Sequence, residues 1–395
     1  MGTVSRNVRL LAAARVLTTV GFSSTIPFLA LYLTVERGTS LPLVGLMYLL
    51  QGLAGLVSQV LSGFLADRIG PKRAMALGYV FSAAGAIYMA FLIHATAPTE
   101  LIIVTYPLFS VLRGLSSAPS AALVADDRSD TVTGFSLLVM AGNLGFALGP
   151  AIGGLLVAYI GYAQLFLMSA LTSVVGLALS AFMAEGTYHL QKEKQSSRPG
   201  AEVGAFLLLS LLGYLVIGQD LEPFALFAGN FVHASTLEVG YLFSFSGGLI
   251  VAAQLPSMRL LRRHGPYPSL LLGSALAAIA CAWIGLSGDV PDLFVGMALI
   301  TLAEIFFVVP SQMWITQRSP KGRKGAYQGY FAAVRSGGRS GAAWLGSTMM
   351  GVGEPGYAWF VMAGLAVALG AGYGLHMKAA RAGASGPGER NAYHV

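Results

Sequence analysis

The sequence predicts an all-α polytopic membrane protein of twelve transmembrane helices, arranged as two pseudo-symmetric six-helix bundles. Three observations predict it. Only 10% of the 395 residues are charged, against roughly 25% in a soluble domain, and the mean hydropathy is +0.69. The apolar residues fall into repeated runs of about 20, each long enough to cross roughly 30 Å of hydrocarbon. The long polar loop "EGTYHLQKEKQSSRPGAE" divides these runs into six and six.

The expected spans are about 8–34, 42–64, 74–95, 101–124, 133–157, 163–184, 204–229, 238–258, 268–287, 291–316, 325–350 and 356–377. The corresponding domains are an N-terminal bundle over 1–184, a cytoplasmic linker over 185–203, a C-terminal bundle over 204–377 and a cytoplasmic tail over 378–395. The tail is small and polar and reads as disordered. The first span is too long for a signal h-region and no A-x-A site follows it, so it is expected to be retained. Fifty glycines are spread through the spans, which suits close helix packing in lipid. The single cysteine, Cys281, lies in an apolar run and reads as packing. The loop lysines and arginines fall on one side, with Arg37 the exception. The positive-inside rule therefore puts both termini in the cytoplasm of a cell (inner) membrane. Topology accounts for the net charge of +7, so the basic pI indicates no nucleic-acid partner.

The two halves look like copies. "TIPFLALYL" matches "LEPFALFAG", pairing Pro27 with Pro223; "DRIGPKR" matches "RRHGPYP", pairing Gly70 with Gly265; "RGLSSAPS" matches "EIFFVVPS", placing Arg113 opposite Glu304. Three matches in order at nearly constant offset indicate internal duplication, the pattern of secondary transporters that bind substrate near the midplane.

Three stretches carry finer information. "SGFLADRIGPKRAM" between spans two and three holds Gly63, Asp67, Arg68, Gly70 and Arg73, a basic turn with an acid and a glycine inside it. "LRGLSSAP" in span four puts Arg113 about 18 Å from the outer end. "GNLGFALGPAIGG" in span five offers Gly145, Gly149, Pro150, Gly153 and Gly154 as a small, kinkable surface. Together they resemble the major facilitator superfamily, and the third is similar to the antiporter motif of its drug:proton antiporter (multidrug efflux) branch. Pro71 stands where that family usually has arginine, and Arg262 replaces the acid in the second-half copy of the loop. The resemblance implies that Arg113 is linked to proton coupling. It also implies that the Asp67 loop acts as a conformational gate, with Arg73 paired to an acid after span four, Asp126 or Asp127.

Ionisable residues inside the spans are Arg15, Arg113, Arg335, Arg339, Asp220, Glu222 and Glu304. A lipid-facing charge costs at least about 2.5–3.5 kcal/mol at the midplane, so these should face a cavity or a partner; for Arg15, nearer the cytoplasmic end, snorkelling to the interface is the alternative. Glu304 sits about halfway down span ten, and Asp220 roughly 24 Å along span seven from the cytoplasmic side. Desolvation disfavours the charged form of any acid, so both are candidates to take a proton outside and release it inside. Glu222, a further proton-coupling candidate, lies 200° further round a regular helix and is expected at the rim or against another helix. Arg335 and Arg339, four apart on one face, are expected to partner Glu304 or Asp220, or to line the cavity. Gln51, Asn143, Phe28, Tyr32, Gln219, Gln254 and Gln312 complete the candidate substrate cavity.

The expected function is export of small amphipathic compounds in exchange for protons by alternating access. Alternatives are proton-coupled uptake of an anionic solute and flipping of a lipid-linked molecule. Partners are a small-molecule substrate, protons and the bilayer, with a monomer expected. No Walker A pattern is present and the histidines are scattered, so no enzyme, cofactor or metal site is indicated.

Overall fold

A computed structural model describes residues 5–125, 131–183, 200–320 and 323–383. The described residues are helical, with turns and short connections and no strand. Among the described residues, eleven segments are long and apolar enough to cross a membrane. The remaining expected span is helix Lys324–Val352, 29 residues long. At 1.5 Å per residue it extends about 43 Å, and Arg335, Arg339 and its glycines and serines lower its hydropathy. Large apolar side chains such as Val60, Phe91, Leu171 and Val367 are exposed, as on a surface solvated by lipid tails.

The chain forms two compact units, Met1–Lys192 with Ala234–Gly247, and Glu193–His233 with Gly248–Val395. The first turns of the eighth span thus belong with the first unit rather than the second. In the first unit, α1 (Arg6–Ser23) and α2 (Ile26–Leu31) run into a π-helical segment, Tyr32–Glu36, and form one span. Then come α3 (Leu41–Ile69), α4 (Pro71–His94), α5 (Thr99–Gly114), α6 (Ser117–Ala125), α7 (Thr131–Tyr159) and α8 (Ala163–Ala181). The second unit holds α9 (Ala201–Ile217) and α10 (Glu222–Asn230), joined by a 3-10 turn. It continues with most of α11 (Thr236–His264), then α12 (Pro266–Leu286), α13 (Val290–Arg318), α14 (Lys324–Val352) and α15 (Pro355–Gly383).

The duplication is visible in the backbone. Gly70 and Gly265 end helices of 29 residues, both at positive φ (85° and 76°), and each precedes a proline that opens the next helix. Only glycine takes that conformation without strain. Pro27 and Pro223 both stand in the first turn of a second helical segment, so the first span of each half breaks just before its proline. Packing repeats too: α1 lies on α7 and α4 on α8 in the first unit, α9 on α14 and α12 on α15 in the second.

The span-five glycines explain the first of these contacts. A Cβ on Gly145, Gly149 or Gly153 would come within 2.6–2.7 Å of the carbonyl oxygens of Val16, Val20 and Ser24 respectively. Both sets advance by four, one helical turn each, so α1 and α7 touch backbone to backbone over two turns. Gly154, next to this stripe, meets the backbone of Gly240 in the first turns of α11. Small residues are what allow such approach in lipid.

Candidate functional site

Span seven breaks where its acids lie. α9 stops at Ile217, the 3-10 turn covers Gly218–Asp220, and Leu221 takes φ −113° and ψ −99° before α10 begins at Glu222. Those angles are far from helical, and Pro223 offers no N–H to bridge the gap. The expectation of a regular helix with the two acids 200° apart is therefore corrected. Glu222 opens a new helix, and its bearing relative to Asp220 is set by the break.

The backbone of α14 crosses this break closely. A Cβ on Gly218 would lie 3.1 Å from the Arg339 Cα, and one on Gly338 would strike Tyr214. The Gln219 amide donates to the carbonyls of Leu215 (3.0 Å) and Ala342 (3.1 Å), fastening the turn to both helices. Gln219 is 2% exposed, so it is corrected from a cavity residue to a fastening of the fold.

At the crossing, one guanidinium serves two carboxylates. Arg339 Nη2 donates to Glu304 Oε1 at 2.5 Å and Nη1 to Asp220 Oδ1 at 3.5 Å. Glu222 lies within electrostatic reach of the same cation, and Asp220 and Glu304 act on each other as well. The ring of Tyr214, edge-on to Phe307 and Phe331, closes one side. One arginine cannot balance three ionised carboxylates in a poorly hydrated place. The deficit can be met by a proton, since an unpaired buried charge is strongly unfavourable. Arg335 does not share the task. It is exposed and makes no ion pair among the described residues, because only position 339 lies where α14 meets the break. The expectation that both arginines partner the acids is corrected to Arg339 alone.

The first unit holds a contrasting arrangement. Arg113, in the last turn of α5, stacks on Phe22 with its Cζ 3.4 Å from the ring centroid. Its Nε is buried with no hydrogen-bond partner. Arg15 is within electrostatic reach. Neither arginine is ion-paired among the described residues.

The other expected residues divide. Phe28 is fully buried beneath Gly153, and Tyr32 packs on Tyr162 (5.1 Å between centroids) while its hydroxyl accepts from Arg37 Nη1. Both are corrected from cavity lining to packing. Asn143 and Gln312 are exposed, and Gln51 and Gln254 half-buried. Asp67, Arg68 and Arg73 are exposed at the junction of α3 and α4, with Arg68 over the Phe64 ring at 4.4 Å. A Cβ on Gly63 would meet nothing within 4 Å. Asp126 and Asp127 lie outside the described residues. Sequence reasoning missed the contacts of Gly218 and Gly338 with the crossing; a glycine directly before an acid in an apolar span was the available signal.

Comparison with known proteins agrees with this architecture. The family model of the Major Facilitator Superfamily matches residues 11–343, so the chain belongs to that superfamily and is a membrane transporter rather than an enzyme. An uncharacterized MFS-type transporter of Bacillus subtilis, YqjV, is 24% identical over 87% of this chain and 87% of its own. A Na(+), Li(+), K(+)/H(+) antiporter of Planococcus maritimus is 26% identical, covering 84% of this chain and 85% of that protein. Multidrug resistance protein MdtH of Aeromonas hydrophila is 25% identical, covering 89% and 90%. Among solved structures, the nucleoside transporter NupG superposes with a TM-score of 0.74 at 16% identity, over 95% of this chain and 100% of that one. That likeness speaks for the fold.

Proposed function

We propose that this transporter exports small amphipathic compounds in exchange for protons, by alternating access, and that the proton enters through Asp220 and Glu304. The observation that carries the reading is the single guanidinium of Arg339 held by two carboxylates, with Glu222 in reach. A proton on either acid cancels one of the two attractions and frees part of Arg339. The position of α14 against the break in span seven then depends on proton occupancy. A change of a few kcal/mol in such a contact is enough to shift a two-state equilibrium. The proton-antiporter and multidrug-resistance names among relatives support the reading, as does the antiporter motif of span five.

The same reading places the chain in the cell (inner) membrane as a monomer with both termini cytoplasmic. Its duplicated halves by sequence are 1–184 and 204–377. The turn around Gly63, Asp67, Arg68, Gly70 and Arg73, with Asp126 and Asp127, gates the cytoplasmic side. Proton-coupled uptake of an anionic solute is the second reading, favoured by Arg15 and Arg113, which have no ion pair among the described residues. Everted vesicles with an imposed pH gradient separate the two. Export gives substrate accumulation inside the everted vesicle with collapse of the gradient; accumulation that runs with the proton instead overturns the antiport reading.

A further inference from the structure

A guanidinium keeps its charge in any protein environment, so burying one calls for a partner. Arg339 has two. In the first unit the contact of the Arg113 side chain among the described residues is the face of Phe22, and a ring engages the face of the guanidinium plane, not the N–H groups at its edge. The stacking orients that plane and leaves the buried Nε donor unused. Arg15 adds a second cation within electrostatic reach. Two like charges near each other on neighbouring membrane helices are unfavourable alone, and an anion placed with them relieves both.

The protein supplies no such anion among the described residues. The described acids of the first unit, Glu36, Asp67, Glu100 and Glu238, stand in the terminal turns of their helices. Glu238 is already engaged by the Ser235 N–H and hydroxyl. Arg15 is exposed, and Gly142 of α7 stands beside it: a Cβ there would lie in ordinary contact, 3.5 Å from Arg15 Nε.

We infer that Arg15 and Arg113 bind the anionic group, a carboxylate or phosphate, of the transported compound. The substrate class is then a small amphipathic organic anion whose charged end is held by a planar N–H fork, the geometry that suits carboxylate and phosphate. The inference rests on the transporter reading and narrows its substrate. Phenylalanine at 22 fixes the fork; Arg15 contributes the second charge.

The test uses the full-length protein in neutral detergent micelles, with naphthalene-2-carboxylate and naphthalene-2-carboxamide as probes of the same body and different charge. Equilibrium binding should favour the carboxylate by about tenfold, the size of one charge-assisted hydrogen bond. The preference should survive in Arg259→Gln, which removes an exposed cation elsewhere in the chain, and disappear in Arg15→Gln and Arg113→Gln. Arg113→Lys, which keeps charge without the fork, should retain part of it. Equal binding of the two probes, no binding of either at millimolar concentration, or a preference that persists in Arg15→Gln overturns the proposal. Should Arg113→Gln fail to fold, the wild-type ratio and Arg15→Gln decide. Phosphatidylglycerol added to the micelles separates the sources. If the lipid displaces the carboxylate at equal concentration, the occupant is a lipid phosphate and the substrate assignment fails. Binding in micelles involves no proton gradient, so this result and the proton-exchange reading stand or fall separately.

Discussion

The two units repeat each other in packing and differ in charge. Each breaks its first span before a proline, each ends its second span on a glycine at positive φ, and each lays its first span on its fifth. Inside the membrane, however, the first unit holds Arg15 and Arg113 with no acid paired to them among the described residues. The second holds Asp220, Glu222 and Glu304 around Arg339. Ser24 and Ile26 occupy the first-half positions that correspond to Asp220 and Glu222. A duplicated scaffold thus carries two different chemistries. The shared features maintain the helices, and the unshared charges are where coupling and substrate choice are to be sought.

The largest effect should come from Arg339→Met, which leaves two partly buried carboxylates without their cation. We expect a loss of about 3 kcal/mol or more in denaturant unfolding, largely recovered when Asp220→Asn and Glu304→Gln are added. An undiminished loss in the triple variant would mean that the arginine acts through packing alone. Next, Gly149→Val and Gly338→Val force a side chain into a helix backbone or into Tyr214, at a cost of about 2 kcal/mol each. Similar losses in both would sharpen the claim that the units share their packing. A loss confined to one would break it.

Within the cluster, Glu304→Gln should cost about 2 kcal/mol and Asp220→Asn about half of that, because the contact of Glu304 is 2.5 Å and that of Asp220 3.5 Å. The reverse order in thermal unfolding would place the main anchor on the other acid. Arg113→Met should stay within about 1 kcal/mol of wild type, since the lost cation–π contact is offset by removing an unpaired charge. A loss equal to that of Arg339→Met would reveal a partner for Arg113 and end the contrast between the units. The smallest change is Gly63→Ala, within about 0.5 kcal/mol because the added methyl meets open space; altered transport at unchanged stability would mark that glycine as part of a gate.

Much of the fold could be read from the sequence because it rests on local rules. Hydropathy sets the spans, and a glycine before a proline marks both Gly70 and Gly265, so the duplication showed in residues whose backbone geometry is demanding. The site was legible in type but not in arrangement. Spacing of four put Arg335 and Arg339 on one face and could not choose between them; the choice is made where α14 crosses Gly218, a contact far apart in sequence. The 200° estimate for Asp220 and Glu222 assumed a continuous helix, whereas the break at Leu221 resets the direction of everything after it. Gln219 read as a cavity amide because its two carbonyl partners, one of them at Ala342, cannot be seen from its neighbours. Phe28 and Tyr32 failed for a similar reason: apolar or aromatic residues in a span are equally suited to a cavity wall and to a helix contact.

The central claim is that proton exchange runs through the acids around Arg339. It is tested most directly in proteoliposomes with an imposed pH gradient, by screening amphipathic anions for those that dissipate it through the wild-type protein. We expect such compounds to collapse the gradient in wild type and in Arg335→Gln, and to leave it standing in the double variant Asp220→Asn, Glu304→Gln. Collapse of the gradient in that double variant at the wild-type rate would contradict the account.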